Sequence, residues 1–89
     1  MDGKKQRQAL TAAERAIEAL GRKDASSARM AISTALERDQ VGLFASMADA
    51  VYLAAAELDA DGEIAPATWN QIADAVGPGP LQALVEQYR

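Results

Sequence analysis

Apolar residues along this chain recur at spacings of three and four, and no segment alternates with the period of two that a half-buried strand requires. That periodicity predicts helices from end to end. Over residues 4–21, Ala9, Leu10, Ala13, Ala16, Ile17 and Leu20 form one stripe, about 120° wide, the width of a core-facing helix. Gly21 followed by Arg22 and Lys23 reads as its C-terminal signal, the cations favouring the negative end of the helix dipole. Thr11 and Glu14 have capping-box spacing, so the alternative is a later start near Ala12 behind a mobile basic tail over 1–8. Asp24 is an N-cap for a second helix over 25–38, with Ala28, Ala31, Ile32, Ala35 and Leu36 facing inward. A third helix over 42–58 is apolar around more than half its circumference through Leu43, Phe44, Met47, Ala48, Val51, Ala54, Ala55 and Leu58. Such a helix belongs at the centre of the fold.

The loop from Asp59 to Glu63 leads to Pro66, a favoured first residue for a fourth helix over 66–76. Ile64 and Trp69 have the spacing of a hydrophobic staple. Gly77-Pro78-Gly79-Pro80 separates that helix from a last one over 80–88, which is too short to persist without docking. The expected fold is therefore a single all-α domain over 1–89: two antiparallel helical hairpins plus a short C-terminal docking helix. Alanine supplies about a quarter of the 89 residues. It favours helix and close helix approach but buries little area, so the core depends on few larger side chains.

Eight of the nine cationic side chains lie within the first 38 residues, and none lies between Asp39 and Tyr88, where Asp49, Glu57, Asp59, Asp61, Glu63, Asp74 and Glu86 also fall. Segregation of this kind bears on association more than on fold. Cysteine and histidine are absent, which removes disulfides, thiol nucleophiles, zinc sites of those ligands and the commonest base near neutral pH. The absence of cysteine fits a cytoplasmic setting. Glu14, Arg15 and Glu18 interrupt any apolar signal core, and no uncharged run reaches the length of a membrane span. Glycine-rich phosphate loops and nucleophile elbows are missing too. The basic face of the first helix also carries Glu14 and Glu18, and the net charge is −4, so nucleic acid is not expected as a partner. Trp69 and Tyr88 could stack on a ligand, but each sits on an inward stripe and reads as core.

Ala16, Ala28 and Ala35 place small residues where two helices cross, with the larger Ile32 between the last two, and Leu36 and Glu37-Arg38-Asp39 follow. Over residues 16–40 this pattern resembles one tetratricopeptide hairpin, and the resemblance implies a protein-interaction surface without catalysis. The segment Glu57-Leu58-Asp59-Ala60-Asp61-Gly62-Glu63-Ile64 resembles an EF-hand calcium loop, with alternate acids, a glycine and an apolar residue. Asp59 and Asp61 are its candidate ligands. Glu57 would open the frame in place of aspartate, and Thr68 closes it without a bidentate carboxylate.

These observations lead to an expected non-enzymatic interaction or scaffold module that needs no cofactor and binds an unidentified protein. Its candidate surfaces are basic (Arg7, Arg15, Arg22) and acidic (Glu57, Asp59, Asp61). The two could bind different partners, pair within the monomer or mate between copies in a homo-oligomer. The alternative is a degenerate, EF-hand-like, calcium-responsive domain.

Overall fold

The apolar stripes draw five helices together: α1 (Asp2–Gly21), α2 (Ala25–Glu37), α3 (Val41–Asp61), α4 (Pro66–Val76) and α5 (Pro80–Tyr88). This computed structural model describes the backbone of residues 2–37 and 41–89 and the side chains of residues 12–35 and 47–89. No strand occurs among the described residues. The side chains of Arg7, Ala9, Leu10, Leu36, Leu43 and Phe44 lie outside them, as do Arg38, Asp39 and Gln40. Among the described residues, no helix is long and apolar enough to cross a membrane.

α1 and α2 form the first hairpin, and α3 and α4 the second. α3 packs against α1, α2 and α4, and α5 returns to lie against both α1 and α4, which closes the bundle. Just over half of the buried apolar residues among those described are alanine, so the helices meet along small-residue seams. The largest fully buried side chains, Ile17, Leu20, Ile32, Met47, Val51, Ile72 and Val85, come from all five helices. Full burial of each such side chain stabilises the fold by about 1.5–3 kcal/mol. Ala16, Ala28 and Ala35 are buried, and so is the larger Ile32 between the last two.

α1 takes the longer of its two expected extents and ends at Gly21 as expected, whereas α3 runs beyond its expected end. α1 begins at Asp2, so Thr11 and Glu14 lie within it and residues 2–8 are helix rather than a tail. At its other end Gly21 is still helical. The left-handed residue is Lys23, with φ 63°. The Asp24 amide donates to the Ala19 carbonyl at 2.8 Å and the Lys23 amide to Leu20 at 3.0 Å. That is the paired bonding of a Schellman motif, with lysine where glycine usually stands. α3 runs one turn past its expected end, through Asp59 and Asp61. It stops at Gly62, whose φ is 75° and whose amide donates to Leu58 at 2.9 Å, a left-handed cap of the single-bond kind.

Asp24 does cap α2. Its carboxylate accepts the Ser27 amide at 3.1 Å and the Ser27 hydroxyl at 2.7 Å. These two bonds, hydroxyl first, hold its carboxyl below the usual aspartate value, and Arg22 adds to the effect. α4 and α5 begin at Pro66 and Pro80 as the sequence suggests, and neither has a cap from its own N-cap side chain.

Candidate functional site

Glu57 caps α4 from the neighbouring helix. Its Oε1 accepts the Ala65 amide at 3.1 Å, and its Oε2 accepts the Thr68 hydroxyl at 2.9 Å. Near the C-terminus of α3 this carboxylate opposes the dipole of its own helix, but it lies at the positive end of the next one. Thr68 is buried on the same face as Ile72, and Glu57 satisfies its hydroxyl. The two residues that would open and close a calcium frame are therefore bonded to each other.

Asp59 pairs with Arg29 of α2. The basic first hairpin thus meets the acidic second one within the monomer, although both side chains are more than a third exposed and such a pair adds at most about 1 kcal/mol. Ser33 and Tyr52 join the same two helices through their hydroxyls at 2.9 Å. Asp61 lies two residues beyond Asp59 on α3, about 200° around the helix, so the two carboxylates diverge. Arg15 and Arg22 are exposed on α1 and its exit turn. None of these candidate residues converges on a common point. Among the described residues no acidic cluster is placed to hold a metal ion.

A concave site forms elsewhere, at the end of the bundle where the C-termini of α1, α3 and α5 meet the start of α4. It is a cleft of about 270 Å³ lined by Leu20, Gly21, Lys23, Leu58, Glu63, Ile64, Pro66, Trp69, Tyr88 and Arg89. The staple residues Ile64 and Trp69 both face it, so the device that sets the start of α4 also builds a wall. Trp69 is almost buried and Tyr88 half-buried. Both pack on the core as expected, and the fold brings the two rings to one cavity.

The Tyr88 wall depends on Gly21. A Cβ at Gly21 would lie 2.3–2.6 Å from the Tyr88 ring, far inside contact distance. The helix-terminal glycine is therefore a seat for an aromatic ring, and the left-handed turn that follows is left to Lys23. Arg89 anchors the far side, donating to Asn70 on α4 and pairing with Glu86 at 2.9 Å. Lys23 and Glu63 are exposed at the rim. Among the described residues neither forms an ion pair.

Sequence reasoning missed this site because its residues come from four elements and none is unusual alone. The one available signal was a glycine two positions before the turn it was expected to cap. No family model matches the chain, and no curated protein or solved structure matches it either.

Proposed function

We propose that this protein is a non-enzymatic interaction module, a small scaffold that binds another protein, with its first hairpin in the manner of a tetratricopeptide unit. The observation that carries this reading is the anatomy of the end cleft. Buried apolar and aromatic side chains, Leu20, Leu58 and Trp69, line it together with polar atoms, and its charged residues Lys23, Glu63 and Arg89 are exposed. A mixed lining of this kind suits an interface pocket, where an apolar anchor is ringed by solvated polar groups. At about 270 Å³ the cleft stands at the lower edge of the roughly 300–1,000 Å³ of ordinary small-molecule sites. Catalysis would call for a desolvated acid or base, whereas the buried polar side chain among the described residues is Thr68, already bonded to Glu57. A cytoplasmic setting accompanies this reading, in keeping with the absence of cysteine.

The test is affinity capture on the tagged chain from its native host, washed at rising salt and competed with excess untagged chain. Solution mass is measured in parallel across concentration and salt. A stoichiometric, competable partner, or a concentration-dependent dimer, is the expected result. A monomer under every condition that retains no protein in stoichiometric amount removes the proposal.

A further inference from the structure

We infer that the end cleft receives one large apolar side chain of a partner polypeptide, and that an acidic residue beside that side chain pairs with Lys23. The inference rests on the interaction reading above and names what the partner must present.

Three observations converge on it. The cavity, about 270 Å³, suits a single large side chain rather than a length of chain, and Trp69, Tyr88 and Ile64 offer that side chain apolar contact. Its shape is built in, because the Tyr88 wall stands where any side chain at Gly21 would collide with it. Two of the three charged residues at the cleft, Lys23 and Arg89, are cations. Arg89 is engaged by Asn70 and Glu86, so Lys23 is the one left without an ion pair among the described residues. It also holds a left-handed backbone conformation that glycine adopts more readily. Lysine at this position supplies a charge that glycine could not.

The test uses the full chain labelled with nitrogen-15 and three capped pentapeptides. The first carries phenylalanine between two glutamates, the second replaces the phenylalanine with alanine, and the third replaces the glutamates with lysines. The chain has one tryptophan, so the Trp69 indole gives a single signal inside the site. The first peptide should shift that signal and the Ile64 and Lys23 amides, with a dissociation constant in about the millimolar range for a lone anchor. The alanine peptide should bind at least about tenfold more weakly, through loss of apolar burial. The lysine peptide should bind roughly three- to tenfold more weakly, as an exposed charge reversal allows. Lys23→Glu, a surface change, should invert the preference between the first and third peptides.

No shift at the cleft with the first peptide at about 10 mM, equal binding of the alanine peptide, or an unchanged preference in Lys23→Glu would each overturn the inference. Stoichiometric capture that persists in Lys23→Glu and is not competed by the first peptide would overturn it while leaving the interaction module standing.

Discussion

Gly21 and Lys23 exchange the roles that helix-end chemistry assigns them. The residue with φ 63° is lysine, and the glycine two positions earlier is helical. Lys23→Gly removes the left-handed strain and should raise the unfolding free energy by about 0.5–1 kcal/mol, after allowing for the greater freedom of glycine in the unfolded chain. Gly21→Ala should lower it by about 1–3 kcal/mol, since the added methyl overlaps the Tyr88 ring. In a Tyr88→Ala background the same alanine should be neutral or stabilising, because only its better helix propensity remains. Urea titration of the wild type and these four variants reads both effects, and a Gly21→Ala loss that persists without the ring would show that the ring is not its cause. Asp24 gives a pH signature of its own. Its carboxyl is held below the ordinary value by the Ser27 hydroxyl and amide. The contribution is complete above the unfolded value, about pH 4, and is lost as pH falls through the lower folded value. Melting temperatures of wild type and Asp24→Asn between about pH 2 and 6 should therefore show a smaller acid-side loss in the variant. Parallel curves would mean that the cap does not titrate.

Between elements, α4 depends on α3 for its start. Its own N-cap is Ala65, which has no side-chain cap, and the carboxylate that serves the first turn comes from Glu57. Glu57→Ala should cost about 1–3 kcal/mol, because the buried Thr68 hydroxyl then lacks its acceptor. In Thr68→Val that hydroxyl is gone, so Glu57→Ala should cost distinctly less there. A coupling of about 0.5–3 kcal/mol in the double-mutant cycle is the expected result, and additive losses would mean that the two groups act separately. This dependence also shows what a sequence can reveal. α4 and α5 were legible to the residue because Pro66, Gly77 and Pro80 act within their own segments. The end of α3 was misplaced because Asp59 and Asp61 resemble loop residues until Gly62 is seen to take the left-handed turn. The Glu57 cap and the Gly21–Tyr88 seat were not legible at all. Each joins residues from different helices, and helical periodicity shows which face is inward without showing which helix lies opposite.

Across the whole molecule, the basic first hairpin and the acidic second one are joined by an ion pair, Arg29 with Asp59, and by the neutral Ser33–Tyr52 bond. Asp49, Asp61, Glu63 and Asp74 remain exposed, with a net charge of −4 and no cation between Asp39 and Tyr88. Such a field attracts cations diffusely, and diffuse attraction differs measurably from a site. Salt at any identity screens the repulsion among exposed carboxylates according to ionic strength, whereas a bound ion raises the melting point with its own concentration over its dissociation constant. For a calcium site in the loop, Glu57 would have to release Ala65 and Thr68, and Asp59 would have to leave Arg29. Asp61 would also have to turn toward Asp59 from across the helix. Each change gives up an existing interaction for an ion still lacking a bidentate closing ligand, because position 68 is threonine. The melting temperature in millimolar calcium should therefore equal that in sodium chloride of matched ionic strength with chelator. A rise of several degrees specific to calcium, abolished by Asp59→Asn, would mean that the loop rearranges around the ion and that the Glu57 cap is one of two states.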